Sequence, residues 1–428
     1  MQAQQRTENS WSFKMVSPLL HQAFRFPILL LSRVLSDIWP TSDHHVAIGA
    51  WFGTLCSDNP KYFLISTLKN AEIKIHWIGS KDIENTVPQA PNIDFAKKGT
   101  LKAFFAILRS RWVICTHSPI FDLCSHPIFQ KRNCLNLGHG IPIRYIGQGL
   151  RKTTQENSSK KSLLATTAKH LHSWLVKKSK LIVTPVASEK MADLFAIQNS
   201  DNYFGMFLPF GTPRNDFLIK HKEDISLKCA LRKKYSTILG FDAKAKIVLY
   251  APTWRASGKN VFTFYNQDQR ISERLRCVLS NHSAELIEKH HWMTYVQHPA
   301  SCKSETTIVM TKEQQTSVDV QELLLITDVL ICDYSSIYTD FGLMERPCIH
   351  FAYDLDEYMR NDAGLAYDIE QVAAGPVVRT VDGLLEKLSE LLAKPVFEPA
   401  PHYHDLVKYE TGHACEQLAR FMKLKMRT

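Results

Sequence analysis

DVLICDYSSIYTDFGLMERPCIHFAY (residues 328–353) holds three elements in one short stretch. The apolar runs DVLICDY and PCIHFAY read as strands, and SSIYTDFGLMER between them reads as a helix. A strand, a helix and a second strand in succession predict a parallel sheet covered on both faces. Working upstream, AKIVLYAPTW and WMTYVQHP add two strands, and QRISERLRCVLSNHSAELIEKH (269–290) adds a helix. These make one α/β unit that starts near residue 240. A second unit starts at residue 45, where HVAIGAW, IKIHWIG, WVICTH, CLNLGHG and KLIVTP read as strands, with PKYFLISTLKN and KGTLKAFFAILRS as helices. GQGLRKTTQENSSKKS reads as a polar, basic surface loop, and a helix follows at about 163–178. The expectation is an α/β protein of two Rossmann-like domains facing across a cleft, with ligands at the carboxyl ends of the strands. The division places an N-terminal segment at 1–40, an acceptor-side domain at 41–205, a second domain at 206–395 and a helical tail at 396–428.

The chain has 428 residues, 45% hydrophobic and 22% charged, which suits a folded enzyme and excludes a disordered chain. Its formal charge of +10 points to an anionic partner, although the lysines and arginines form no single run, so no nucleic acid is expected. None of the ten cysteines forms a CxxC pair, and several sit in apolar runs, as expected of small buried hydrophobes in a reducing cytosol. Cys115, His117, Cys124 and His126 match no structural zinc spacing, so no metal is assigned. No apolar run reaches the roughly 20 residues of a membrane span. FRFPILLLSRVLSDIWP (24–40) places Leu30, Leu31, Val34, Leu35 and Ile38 at helical spacing. This fits a helix lying in a membrane interface or one packed on the first domain. Pro18 and Pro27 each remove a backbone donor, so a short helix from about Ile28 to Trp39 is expected.

Four turns follow strands: GHGIP with His139, YAPTWR (250–255), QHP with His298, and CDYSSIYTDFGLMERP (332–347). Asp333 ends a strand and Ser335 and Ser336 open a helix, which suits either an anion or a simple N-cap. His139 stands between Gly138 and Gly140, which leaves room for a substrate, and an ordinary imidazole can take a proton from a hydroxyl near neutral pH. The Pro299 ring holds His298 extended, where it can donate to a phosphate.

Taken in order, SDNPKYF (57–63), GHGIPIRYIG (138–147), GTPRNDFL (211–218), YAPTWR, QHP and CDYSSIYTDFGLMERPCIHFAYDLDEY (332–358) resemble the CDP-glycerol glycerophosphotransferase family, with AGP (374–376) similar to a late family turn. The resemblance covers roughly residues 45–390. It implies a GT-B fold and transfer of a polyol phosphate, glycerol phosphate first, from a CDP-activated donor to a hydroxyl of a cell-surface glycan or polymer, with release of CMP. Teichoic acid and capsule polymers are the expected products. It further implies His139 as general base and His298 as a catalytic ligand of the donor pyrophosphate. Arg255, Thr253, Asp333, Ser335 and Ser336 fall on the donor side by the same resemblance, and Gly138, Gly140, Arg144, Arg214 and Asn215 on the acceptor or supporting side. A divalent metal is possible, and no cofactor is certain. The acceptors of this family are lipid-linked or polymeric glycans, so the expected place is the inner face of the cytoplasmic membrane, bound peripherally to its anionic surface. The sequence departs from the family after GHG, where Ile141, Pro142, Ile143 and Arg144 stand for Thr-Pro-Leu-Lys. A GT-B glycosyltransferase using a nucleotide sugar is the alternative enzyme, and a basic nucleic-acid-binding protein the remote one.

Overall fold

A computed structural model of the chain describes residues 18–68, 72–126, 128–129, 131–145, 181–198, 205–255, 261–265, 267–290, 307–362 and 364–426. Seven strands form the first sheet: β1 (Ser42–Ile48), β2 (Lys74–Gly79), β3 (Ile93–Lys97), β4 (Ser110–Cys115), β5 (Asn133–Asn136), β6 (Leu181–Pro185) and β7 (Met206–Leu208). Their order is β3-β2-β1-β4-β5-β6-β7, and every neighbouring pair is parallel. Six strands form the second: β8 (Lys246–Ala251), β9 (Ala284–Glu288), β10 (Thr307–Val309), β11 (Val329–Cys332), β12 (Cys348–Phe351) and β13 (Val377–Val378). Their order is β10-β9-β8-β11-β12-β13, again parallel throughout. In both sheets the order reverses between the first and fourth strands, at β1/β4 and β8/β11. That reversal opens a crevice at the carboxyl ends of the strands.

The strands are apolar on both faces because each sheet is covered on both sides. In the first sheet Val46, Ile48 and Trp112 enter one core and Ala47, Val113 and Cys115 the other. The halves do not merely touch. Ile141 and Ile143, which follow the first-domain GHG turn, enter the same core as Leu249, Tyr334, Tyr338 and Tyr358 of the second domain. Burying each such isoleucine contributes about 1.5–3 kcal/mol relative to leaving it exposed. Lys61 Nζ and Tyr62 Oη donate to the two oxygens of Asp319, both at 2.6 Å, and add a polar clasp between the halves. The last helix, Ala414–Met426, returns to the first domain, where Cys415, Leu418 and Met422 are buried.

Two expectations change. The segment 269–290 is not one helix. Gln269–Asn281 is helical, Ser283 turns with φ 51°, and AELIE becomes β9 between β8 and β10. AELIE, buried at every residue but Glu285, overrides its helical composition because the sheet leaves a place for it. The following WMTYVQHP lies outside the described residues, as do GQGLRKTTQENSSKKS and the helix expected at 163–178. The first helix is also longer than expected, Pro18–Ile38, with Pro27 inside it. Pro18 stands at the first helical position, where a missing N–H costs nothing. Among the described residues no helix is long and apolar enough to cross a membrane.

The inner face of the Pro18–Ile38 helix sets two serines beside Leu35, which packs on the first-domain core. Ser32 and Ser36 are buried against the domain, and Arg132 Nη1 donates to the Ser36 carbonyl (3.0 Å) and Oγ (2.7 Å). Ile28, Leu31, Val34 and Ile38 are exposed on the outer face.

Candidate functional site

The loops after β1, β4 and β5 meet at the first switch point. β5 leads into Gly138 (φ 64°), His139 and Gly140 (φ 140°), backbone angles that only glycine adopts without strain. The His139 ring stacks on His117 from the β4 loop (4.4 Å, 24°), and His117 stacks on Phe52 from the β1 loop (4.5 Å, 30°). Trp51 lies 5.5 Å from His139 and edge-on to His117 at 5.2 Å. Asp122 fixes this column from beneath. Its carboxylate is fully buried and accepts from the backbone N–H groups of Thr116 (2.8 Å), His117 (2.8 Å) and Phe52 (2.8 Å). Burial opposes the Asp122 charge, yet the bonds from His117 and Phe52 win and hold its pKa below the usual value.

His139 is exposed, although the rings of Trp51 and His117 pack against it. That crowding first, then the His117 ring and the Arg214 charge, push its pKa down to about 4, against the opposing pull of Asp58. A hydrogen bond toward the Thr116 backbone restrains the ring. A carbonyl only accepts, so the nitrogen on that side carries the proton and the other has a free lone pair. The ring is therefore neutral at pH 7 and arranged to accept a proton from the cleft.

The SDNP turn holds this loop in place. Asp58 (φ 64°) accepts from Trp51 Nε1 (3.1 Å), and Asn59 Nδ2 donates to the carbonyls of Leu137 (2.9 Å) and Gly138 (3.2 Å). Arg214 is the keystone. Its Nη1 donates to Asp58 Oδ1 (2.9 Å) and to the His139 carbonyl (2.8 Å), and its Nη2 pairs with Asp340 at 2.7 Å. Asn215 donates to Glu410 (3.0 Å) and accepts from Gln321 (3.2 Å). A Cβ on Gly140 would stand 2.8 Å from Ser336 Oγ and 3.0 Å from Arg214 Nη2. The GHG turn of the first domain thus lies directly against the Ser-Ser turn of the second.

In the second domain Asp333 follows β11 and Thr253 follows β8. The Thr253 N–H donates to Asp333 Oδ1 (2.8 Å), which ties the two loops at their switch point. Arg255 is almost fully buried and occupied. Its Nη1 pairs with Asp333 (2.9 Å) and donates to the Thr253 carbonyl (2.6 Å), while Nε and Nη2 grip Asp354 at 2.8 and 3.0 Å. The guanidinium also packs over Tyr334 and Tyr358, which stack on each other at 4.2 Å. The helix opened by Ser335 and Ser336 is short, Ile337–Phe341, and Glu345 (φ 56°) ends the 3₁₀ turn after it. A helix of five residues has little dipole, so the turn offers hydroxyls and backbone N–H groups more than a macrodipole.

The structure therefore brings the His139 turn with Gly138 and Gly140 against Ser335 and Ser336, with Arg214, Asn215, Thr253, Arg255 and Asp333 buried behind them. The backbone of Arg144 forms an antiparallel bridge with Leu365, beside the bond from the Ala366 N–H to the Ile143 carbonyl (2.9 Å), and its side chain hydrogen-bonds Tyr358. His298 lies outside the described residues. Sequence reasoning left out Trp51, Asp58, Asn59, His117, Asp122 and Asp340. Asp58 and Asn59 stood in a motif already singled out, and Asp340 lies four residues after Ser336, but contact partners distant in the chain give no local signal. Cys332, Cys348 and His350 also cluster, buried, behind Asp333. There the His350 Nδ1 lies 3.3 Å from the Asp333 carbonyl and the Ala374 N–H donates to Nε2 (3.1 Å), so the backbone engages both ring nitrogens.

Comparison with known proteins adds the following. Residues 36–422 match the family described as CDP-Glycerol:Poly(glycerophosphate) glycerophosphotransferase. The chain is 26% identical over 388 residues to a teichoic acid glycerol-phosphate transferase of Staphylococcus aureus (strain NCTC 8325 / PS 47), spanning 87% of this chain and 90% of that protein. It is 23% identical over 414 residues to a teichoic acid poly(glycerol phosphate) polymerase of Bacillus subtilis (strain 168), spanning 95% of this chain but 51% of the relative. The solved structure of the wall teichoic acid polymerase TagF superposes with a TM-score of 0.68 at 18% identity, covering 95% of this chain and 97% of that one. That likeness shows the fold, which is GT-B-like.

Proposed function

The chain belongs to the CDP-glycerol:poly(glycerophosphate) glycerophosphotransferase family, and we propose that it transfers glycerol phosphate from CDP-glycerol to a hydroxyl of a teichoic-acid-type polymer or glycan. The observation that carries this reading is the contact between Gly140 and Ser336, because it sets a proton acceptor and a phosphate-binding turn face to face. His139 takes the proton of the acceptor hydroxyl as that oxygen attacks the β-phosphorus of the donor. The new O–P bond forms, the bond to the CMP oxygen breaks, and CMP leaves with the electron pair. Ser335 and Ser336 donate to the phosphate oxygens. Arg255 and Asp333 act as positioning residues that hold the Thr253 and Ser335 loops, since the guanidinium already serves two carboxylates. His298 is the proposed second donor ligand. Phosphoryl transfer depends mostly on such positioning and charge neutralisation.

A base of this kind is worth about 10²–10⁴-fold in rate. His139→Ala is therefore expected to lower CMP release from CDP-glycerol at least a hundredfold while donor binding by calorimetry survives. Turnover within about tenfold of wild type would remove His139 from this role.

The exposed stripe of Ile28, Leu31, Val34 and Ile38, together with the +10 charge, supports peripheral binding to an anionic membrane surface, where a lipid-linked acceptor would be met.

A further inference from the structure

Trp51 and Phe52 are consecutive non-glycine residues with left-handed backbone angles, φ 47° and 60°. Bulky residues adopt such angles only where their surroundings over-determine them, and they gather at functional sites. Here the surroundings do so. The Trp51 N–H donates to Thr116 Oγ1 (3.0 Å), and the Phe52 N–H donates to the buried Asp122. Lys98 Nζ donates to the carbonyls of both Phe52 (2.8 Å) and Phe121. One ammonium thus staples the β1 loop to the short helix Pro119–Asp122. Burial pushes the Lys98 pKa down, against the pull of Asp122, so this cation is spent within the loops.

The result is an aromatic ledge held open to solvent. Phe52 is 44% exposed and Phe121 53% exposed, with their rings 6.0 Å apart. Phe52 is the outer ring of the column that runs through His117 to His139. The ledge stands on the first domain and is continuous with the candidate base through ring contacts of 4.5 and 4.4 Å.

We infer that Phe52 and Phe121 bind a sugar ring of the acceptor and thereby select a glycan-ended acceptor over a polyol-phosphate chain. This rests on the transfer reaction proposed above. The faces of aromatic rings carry the negative end of the quadrupole. The flat C–H face of a pyranose packs on such a surface, whereas an anionic, flexible phosphodiester chain gains nothing from it. Among the described residues, Lys98 is committed to two carbonyls and Arg214 to Asp58 and Asp340.

The test begins without donor. Ligand-observed NMR with methyl β-cellobioside and methyl β-chitobioside is compared with a glycerol phosphate trimer. The wild type should bind a glycoside more tightly than the trimer, with saturation passing from aromatic protons. Phe121→Ala and Phe52→Leu should each weaken glycoside binding by about tenfold, the scale of one aromatic contact, and Phe121→Tyr should retain it. In CMP release from CDP-glycerol the same two variants should raise KM for the glycoside more than they lower kcat. Glycoside binding that is unchanged in folded Phe121→Ala, or a trimer that binds more tightly than the glycosides, would overturn the inference. Glycosides that bind the ledge while neither acceptor yields CMP would sink the proposed reaction and leave the sugar platform standing.

Discussion

At the scale of single residues the decisive feature is His139 with a glycine on each side. Its low pKa makes it neutral but a weak base. A bound pyrophosphate would place negative charge beside the ring and raise that pKa, so the donor itself would strengthen the base. The acid limb of kcat/KM, which reports the free enzyme, should fall near pH 4, and activity should be lost as pH drops through it. The acid limb of kcat, which reports the complex, should lie higher. Coincident limbs near 6.5 would mean an unperturbed imidazole and would contradict the crowding around the ring. Gly140 carries a second prediction. Alanine there meets Ser336 Oγ and Arg214 Nη2 and must also adopt φ 140°. Such strain costs about 1–3 kcal/mol. Gly140→Ala should lower the thermal midpoint and push the two turns apart, seen as a loss of turnover of about tenfold or more.

At the scale of elements, the last helix clamps the helix that follows β7. Asp216, on Pro213–His221, accepts from the Ala414 N–H (2.9 Å) and the Cys415 N–H (2.8 Å) at the start of Ala414–Met426. It caps a helix nearly two hundred residues further along the chain. Asp216→Ala should cost about 1–2 kcal/mol in chemical denaturation, the upper part of the range for a lost cap, and Asp216→Asn should recover part of it. Glu410 lies on the same segment and accepts from the Thr212 N–H (3.0 Å), Thr212 Oγ1 (2.8 Å) and Asn215. Burial outweighs these bonds and raises its pKa to about 7. A carboxyl whose folded pKa is raised contributes stability at low pH that is lost as pH rises through about 7. Between pH 5 and 8 the Glu410 contribution should therefore lower the thermal midpoint with rising pH. Glu410→Gln should remove that slope, although its amide must face the Thr212 N–H and lowers stability overall.

At the scale of the whole molecule, two doubly wound domains share one core, which Ile141 and Ile143 enter together with Val186, Met191 and Phe195 of the first domain. Where the family has Thr-Pro-Leu-Lys, the Ile-Pro-Ile-Arg of this chain puts Ile141 and Ile143 into the seam between domains. The outward apolar stripe of Pro18–Ile38 belongs to this scale too. Leu31→Ser with Val34→Ser leaves the buried Ser32–Ser36 face untouched, so folding should persist. The binding constant for anionic liposomes, read by sedimentation, should fall about a hundredfold or more, because each buried leucine or valine side chain is worth about 1.5–3 kcal/mol. Unchanged sedimentation would assign the stripe to another partner.

By itself the sequence determined the class of fold and singled out the turns that the two domains bring together. Strand and helix patterns are local, and the glycines, prolines and serines of GHG, SDNP, PRND and CDYSS report backbone needs within a few residues. Tertiary structure alone decided which of those residues face the cleft. Arg255 reads as a free cation in the chain and is spent on Asp333 and Asp354, while Asp58, His117 and Asp122 read as ordinary polar residues and build the support of His139. The same holds for AELIE, whose composition suits a helix and whose place between β8 and β10 makes it a strand. Charge pairing, ring stacking and sheet vacancies depend on residues tens to hundreds of positions apart. No local pattern encodes them, so they emerge only when the two sheets close on each other.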